Sequence, residues 1–186
     1  MEEQIMNMPA VALRGLTILP GMIAHFDISR ERSLRAVEEA MEQDQKIYLV
    51  TQRNVDSEDP TQEDLYQMGI VADIKQVVRL QNDVVRILVD GISRAALLGF
   101  TGNEKYLEAE ICYCDSNADS LLEDLREAML LGVREAFHRY AAVVGKISKE
   151  LIRQIDQYED LEKLIDYVTN NLPVSYELKQ QVLEAE

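Results

Sequence analysis

The chain has 186 residues, a formal net charge of −15, a hydrophobic content of 47% and two cysteines. This length suits one large or two small domains with a buried core, and two cysteines exclude a disulfide framework. The acidity argues against binding to nucleic acid or to anionic lipid, because both need clustered lysine and arginine. We expect no signal peptide, no membrane helix and a cytoplasmic location with reduced thiols.

The N-terminal part predicts short strands around one helix. Residues 8–13 and 16–19 have strand character, and Pro20-Gly21 predicts a turn before a strand over 22–28. Ser29 is expected to cap a helix that runs through Met41, because serine accepts hydrogen bonds from exposed backbone N–H groups. A buried strand over 47–50 follows.

The centre of the chain predicts a hairpin. Two apolar runs, 70–80 and 84–89, flank Gln81-Asn82-Asp83, so Asn82 or Asp83 is a candidate for the left-handed position. Asp90-Gly91 predicts a turn. Around the hairpin, the pattern predicts a surface loop over 52–60, a capping box from Thr61 to Asp64, and strands over 95–100 and 106–114.

After a polar linker over 115–119, the remaining pattern is helical. A capping box at Ser120 opens a long helix that Gly145 ends, and Ser148 opens a second. A third helix follows, Pro173 breaks the pattern, and Ser175 caps a last helix with no stop signal, so we expect further chain beyond residue 186. The long helix has an apolar stripe of Leu122, Leu125, Met129, Val133, Ala136, Phe137, Tyr140 and Val144.

No motif for catalysis, cofactor binding or metal binding is complete. Cys112 and Cys114 are one residue apart, whereas structural zinc sites separate paired cysteines by two to four residues. Gly145-Lys146 lacks the other positions of a phosphate loop. With His25 and His138 as the only histidines, there is little room for a general base. We therefore predict no catalytic, cofactor or metal site in this chain.

Several segments, in this order, resemble the N-terminal domain of the Lon family of ATP-dependent proteases. Ala12 stands where the family usually has proline, and Ser29 where it has glycine. The matching segments are Val-Ala-Leu-Arg-Gly over 11–15, Leu-Pro-Gly-Met over 19–22, Ser-Arg-Glu-Arg-Ser over 29–33, Lys-Ile-Tyr-Leu-Val-Thr-Gln over 46–52, Asp-Leu-Tyr over 64–66, Gly-Ile-Val-Ala over 69–72, Val-Arg-Ile-Leu-Val-Asp-Gly-Ile-Ser-Arg-Ala over 85–95, Asn-Leu-Pro-Val over 171–174 and Lys-Gln over 179–180.

The resemblance implies an α+β fold, in which a PUA-like β-sheet or barrel subdomain over 1–116 precedes an α-helical bundle subdomain over 117–186, truncated at its C-terminal end. The implied parent is a cytosolic homo-hexamer that uses ATP and Mg in an ATPase module and cleaves peptides in a Ser-Lys protease module. Because neither module is encoded here, we expect this segment alone to hydrolyse neither ATP nor peptides.

The implied function is recognition of unfolded or damaged proteins for protein quality control. Such clients require an exposed apolar surface with adaptable side chains. Arg30 and Arg32 oppose the dipole of the helix that they open, which indicates contacts outside it. The alternative interpretation of the candidate residues is structural: packing of a turn and a solvated start of a helix. The candidate substrate-protein-binding residues are Leu19, Pro20, Met22, Arg30, Glu31 and Arg32.

Two other functions stay open. The chain could be a free-standing Lon-domain binding or assembly module without protease activity, in which the helical part braces the hexamer. It could also be a free-standing PUA-like RNA binder, although the net charge of −15 opposes this.

Overall fold

The computed structural model describes residues 5–114 and 122–185. The linker expected over 115–119 and the cap expected at Ser120 lie outside these residues. A single 3-10 turn, Gln62–Asp64, lies between the third and fourth strands. The elements are β1 Ile5–Leu13, β2 Ile23–Ile28, α1 Glu31–Glu42, β3 Lys46–Thr51, β4 Met68–Arg79, β5 Val85–Phe100, β6 Glu108–Tyr113, α2 Glu123–Val144, α3 Lys149–Gln157, α4 Leu161–Asn171 and α5 Tyr176–Glu184.

The chain divides into two compact units, which we describe separately. The first unit joins the residues up to Cys114 with Ser175–Ala185, so it contains all six strands, α1 and α5. The second contains α2, α3 and α4. The α+β class is therefore confirmed. The expected boundary between residues 116 and 117 groups α5 with the other helices, whereas in the structure α5 contacts β4.

The strands of the first unit form one sheet in the order β2-β5-β4-β3-β1-β6. The long strand β5 also pairs with β6, which closes a ring of five strands. Among the described strand pairs, that of β1 with β3 is parallel and the others are antiparallel. The first half of β5 pairs with β2 and its second half with β6, so β2 lies outside the ring and has a strand partner on one edge only among the described residues.

The core of the first unit has two clusters, because β1, β3 and β4 are buried on both faces. Along β1, Val11 and Leu13 belong to the first cluster, which also contains residues of α1, whereas Ala10 and Ala12 belong to the second. Tyr48 is the largest side chain of the second cluster and its hydroxyl donates to the carbonyl of Ala95 at 3.0 Å. A Cβ at Gly69 would lie 2.5 Å from this hydroxyl, so only glycine leaves the tyrosine ring its place.

The predicted central hairpin is confirmed, but the predicted turn after it is wrong. Asn82 and Asp83 both adopt the left-handed conformation, at φ +60° and +57°. Asp90 and Gly91, in contrast, lie inside β5, which continues unbroken to Phe100. The glycine serves a close approach instead, since a Cβ at Gly91 would lie 2.4 Å from the carbonyl oxygen of Leu19.

Two further expectations near the N-terminus are wrong. Residues 16–19 form no strand, although Ile18 is almost fully buried. Burial rather than strand pairing thus explains their apolar character. The residue that precedes the first turn of α1 is Arg30 rather than Ser29, and no side chain caps this helix.

Four other helix-end signals, all within the described residues, are confirmed. Ser148 and Ser175 accept from the backbone N–H groups of Leu151 and Leu178. Thr61 and Asp64 form the predicted capping box. Gly145 ends α2 in the left-handed conformation.

The second unit packs α2, α3 and α4 around Phe137, Ile155 and Leu164. Only three of the eight residues of the predicted stripe are buried or partly buried, because α2 carries apolar residues on two faces and periodicity alone does not choose between them. Phe137 of the stripe is buried, and Val133 and Tyr140 are partly buried. The stripe residues that are instead exposed are Leu122, Leu125, Met129, Ala136 and Val144.

Candidate functional site

An open concavity of about 540 Å³ lies in the first unit, where β1 and β2 both end. Val11–Arg14 form one wall, and Phe26–Ser29 form the other. Leu16 and Phe26 contribute partly buried apolar surface. We call this concavity the slot. Its lining is mixed, with apolar side chains beside polar and charged ones, as in many ligand-binding clefts.

Two guanidinium groups converge at the slot. Nη2 of Arg14 and Nη2 of Arg30 both donate to the backbone carbonyl of Ser57, at 2.9 and 3.3 Å. Nη2 of Arg30 also donates to Oε1 of the buried Gln52 at 2.8 Å. Partial burial, followed by the nearby charge of Arg14, lowers the pKa of Arg30 from its ordinary value, although arginine stays charged. The slot therefore holds two guanidinium groups side by side, although the acidic residues Asp27 and Glu58 line it as well.

The candidate turn is a type II β-turn that rests against β5. In this turn, the N–H of Met22 donates to the carbonyl of Leu19 at 3.1 Å, and Gly21 at the third position has φ +70°. Gly21 donates to the carbonyl of Gly91, and Gly91 donates to that of Met22. Leu19 is fully buried, so its side chain adds nothing to an exposed patch, whereas Pro20 and Met22 are partly exposed.

The three charged candidates at the start of α1 each contact the protein itself. Arg32 forms an ion pair with Asp59 at 3.2 Å, and Glu31 pairs with Arg35 one helical turn later. Together with Arg30, Arg32 holds the loop that follows β3. The positions of the two arginines are thus explained by their contacts with this loop, which is distant from them in sequence.

Of the six candidates, only Arg30 lines the slot. The sequence analysis missed Arg14, Leu16, Phe26 and Glu58, which line it as well. The only local signal in the sequence for the slot is Arg14-Gly15, which interrupts an apolar run. The remaining lining residues come together through the register of β1 against β3 and of β2 against β5, which local pattern does not reveal.

A second, shallower concavity of about 290 Å³ lies on the outer face of β2, β5 and β4. His25, Val78 and Leu88 line it. Beside it Arg86 forms a bidentate pair with Asp27, at 2.6 and 2.8 Å, and this pair lowers the pKa of the exposed Asp27 carboxyl.

In the described part of the chain, no three residues among histidine, cysteine, aspartate and glutamate lie together as the ligands of a metal ion would. His138 faces Asp156 at 2.8 Å and is exposed rather than packed at the edge of a core. None of the described helices combines the length and the apolar character that a membrane span requires.

Comparison with solved structures gives the same fold. The N-terminal domain of Lon protease from the Mycobacterium avium complex matches with a TM-score of 0.77 at 17% identity, over 97% of this chain and 90% of that structure. A Lon N-terminal domain protein from Xanthomonas campestris matches with a TM-score of 0.52 at 15% identity, over 90% of this chain and 99% of that structure.

Comparison of sequences extends the likeness. Lon protease of Lachnoclostridium phytofermentans is 36% identical over 185 residues, and Lon protease of Clostridioides difficile is 35% identical over 181 residues. These alignments cover 100% and 96% of this chain, but the chain spans only 23% of the length of either relative. A family model described as the ATP-dependent protease La (LON) substrate-binding domain matches residues 7–186. The chain belongs to this family of Lon substrate-binding domains.

Proposed function

We propose that the first unit recognises unfolded or damaged proteins and delivers them to the ATP-dependent protease of which such domains are part. The observation that carries this proposal is the slot, in which partly buried apolar side chains lie beside two arginines. Unfolded chains offer apolar and charged side chains in no fixed geometry, so an open site of mixed character suits them. The description of the family as substrate-binding supports this role.

We keep the six candidate residues as part of the proposed recognition surface, with different roles. Pro20 and Met22 are accessible for direct contact, and Arg30 lies in the slot. Glu31 is exposed beside it. Leu19 and Arg32 act indirectly, because Leu19 is buried under the turn and Arg32 holds the loop at Asp59.

Degradation by the longer protease that contains this chain tests the proposal. Met22→Ser combined with Arg14→Gln should slow the degradation of a reduced and carboxymethylated protein several-fold, while cleavage of a short fluorogenic peptide stays constant. Arg79→Gln is the matched control, because Arg79 is exposed and lies outside the slot. Unchanged degradation of the unfolded protein by the double variant would remove the slot and the turn from recognition.

A second role, in assembly of a homo-hexamer, is favoured by one observation. Leu122, which precedes α2, and Leu125 and Met129 of α2 are 79%, 49% and 41% exposed. Exposed apolar side chains that lie close together are a common feature of association surfaces. Leu125→Lys with Met129→Lys should shift the sedimentation coefficient of the longer protease towards smaller species. An unchanged sedimentation coefficient would exclude these side chains from assembly of the hexamer.

We further propose that ATP and Mg act outside this chain, that the protein works in the cytoplasm, and that it does not bind nucleic acid. Both cysteines are free thiols, which fits a reducing compartment. The net charge of −15 disfavours phosphate backbones. Cell fractionation tests the location, and titration with RNA at several salt concentrations tests the partner.

A further inference from the structure

The strand β2 presents an open edge. The N–H of Gly91 donates to the carbonyl of Met22 at 3.0 Å, and hydrogen-bonded pairs alternate along antiparallel strands. Ala24, Phe26 and Ile28 therefore exchange bonds with β5, while His25 and Asp27 direct their N–H and C=O groups away from it. Among the described residues no strand pairs with this edge.

The open edge forms one wall of the slot. Phe26–Ser29 line the slot, and Asp27, whose backbone groups point away from β5, belongs to this segment. The opposite wall, at Val11–Leu13 of β1, has a described strand partner on its β3 side, while the pairing of β1 with β6 is confined to Ile5–Pro9. An unpaired strand edge is a template for another extended chain, because its N–H and C=O groups are spaced to bond a strand.

The two guanidinium groups of the slot are suited to hold a carboxylate. Arg14 and Arg30 share the carbonyl of Ser57. Glu58 also lines the slot and, like Asp59, lies near Arg30, yet among the described residues no carboxylate forms an ion pair with either arginine. Asp27 is held by Arg86, so its carboxyl group is already engaged. Planar guanidinium groups bind carboxylates through paired hydrogen bonds, which are stronger than those to a neutral carbonyl.

We propose that the slot binds an extended polypeptide segment as an added strand along β2, with a carboxylate of that segment held by Arg14 and Arg30. This inference rests on the proposed function and names the mode of recognition. Backbone bonds to Asp27 are independent of sequence, which suits many clients, and Leu16 with Phe26 contact an apolar side chain. The carboxylate is supplied by the end of a chain or by an acidic side chain.

Peptide binding to the 186-residue chain tests the chemistry. The probe is a fluorescein-labelled octapeptide of alternating valine and threonine with a free C-terminal carboxylate, compared with its C-terminal amide and with an amide that carries a glutamate near its end. We expect the plain amide to bind about tenfold more weakly than the carboxylate. Whichever of the other two binds tighter identifies the source of the carboxylate. An octapeptide N-methylated along its backbone should lose binding, because it cannot pair as a strand.

Arg14→Gln separates the charge from the edge. This variant should bind the carboxylate peptide about tenfold more weakly and the plain amide with unchanged affinity. The control Arg79→Gln should change neither affinity. Amide hydrogen exchange supplies a readout that does not depend on this variant. Binding should slow exchange of the Asp27 amide at least about tenfold, while the amide of Phe26, already bonded to β5, changes little.

The outcomes distinguish this inference from the proposed function. Binding of the peptide or of a reduced and carboxymethylated protein without protection of the Asp27 amide would overturn the added strand and leave recognition of unfolded chains intact. Equal affinity for the carboxylate and amide peptides would overturn the role of the arginines. If neither the peptide nor the unfolded protein binds, the proposed function fails as well.

Discussion

The side-chain amide of Gln180 donates to the backbone carbonyl of Met68 at 2.9 Å, although the two residues are 112 positions apart. Gln180 is 1% exposed, and its Oε1 accepts from the hydroxyl of Thr17 at 3.3 Å. The hydroxyl groups of Thr17 and Thr51 lie 2.9 Å apart. Buried polar groups thus tie α5 to the sheet, which explains why the chain returns to its first unit after three helices.

We therefore predict that Gln180→Ala destabilises the first unit by about 1–3 kcal/mol, because the variant removes the donor to the buried Met68 carbonyl and leaves Thr51 as the hydrogen-bond partner of the Thr17 hydroxyl. Amide hydrogen exchange of the sheet measures this loss. Gln181→Ala, at an exposed position of the same helix, is the control and should change stability by less than about 0.5 kcal/mol. Equal stability of the two variants would contradict a structural role of the buried amide.

Two glycines of β5 should respond differently to alanine. A Cβ at Gly91 would lie 2.4 Å from the Leu19 carbonyl oxygen, so Gly91→Ala must displace the turn before β2 and should cost about 1–3 kcal/mol. At Gly99 the nearest atom would lie 3.8 Å away, so Gly99→Ala should leave stability unchanged or slightly higher. Exchange rates of the amides of β2 and β5 compare the two. A tolerated Gly91→Ala would refute the close approach of the turn.

Alanine substitutions at two glycines, one inside α2 and one at its C-terminal end, should change stability in opposite directions. Gly132 lies inside the helix with open space around its Cα, so Gly132→Ala should stabilise the second unit by about 0.5–1 kcal/mol. Gly145 ends the helix at φ +66°, where a side chain is strained, so Gly145→Ala should destabilise it by about 1 kcal/mol. Amide exchange of α2–α4 measures both. The same sign for both substitutions would contradict the assigned helix end.

The pair of Lys46 and Asp73 makes the first unit sensitive to acid. The ammonium group of Lys46 donates to Asp73 at 2.9 Å and is the main cause that holds the pKa of this carboxyl below its usual 3.8. A lowered folded-state pKa contributes stability that is present above the unfolded-state pKa and lost as pH falls through the folded-state pKa. For such a part-exposed pair the contribution is at most about 1 kcal/mol.

Lys46→Met should therefore raise the pKa of Asp73 towards 3.8, as measured by NMR titration of its carboxyl carbon. The variant should be less stable than the parent at pH 7, and the difference should vanish below the folded-state pKa of Asp73. Lys105→Met, which removes one exposed charge elsewhere, serves as the control. A stability difference that persists at pH 2 would show that packing, rather than the ion pair, is responsible.

Local signals in the sequence predicted local features well. The left-handed residues at Asn82 and Asp83, the caps at Ser148 and Ser175, and the stop at Gly145 depend only on near neighbours. The turn predicted at Gly91 is wrong, because this position needs glycine for the close approach of the Leu19 carbonyl, 72 positions earlier in the sequence.

The slot could not be predicted for the same reason. Its walls meet through the pairing of β2 with β5 and of β1 with β3, and Arg14 and Arg30 converge on a carbonyl of the loop after β3. Arg30 was found only because its charge opposes the dipole of its own helix. The apolar character that makes Leu19 a candidate is explained by its burial in the core.

The central claim is that this chain recognises proteins that have lost their fold. The most direct test is equilibrium binding of the 186-residue chain to one labelled protein, presented folded and then reduced and carboxymethylated, with fluorescence anisotropy as the readout. We predict saturable binding of the unfolded form at micromolar concentration and at least about tenfold weaker binding of the folded form. Equal affinity for the two forms, or binding of neither, would contradict the account.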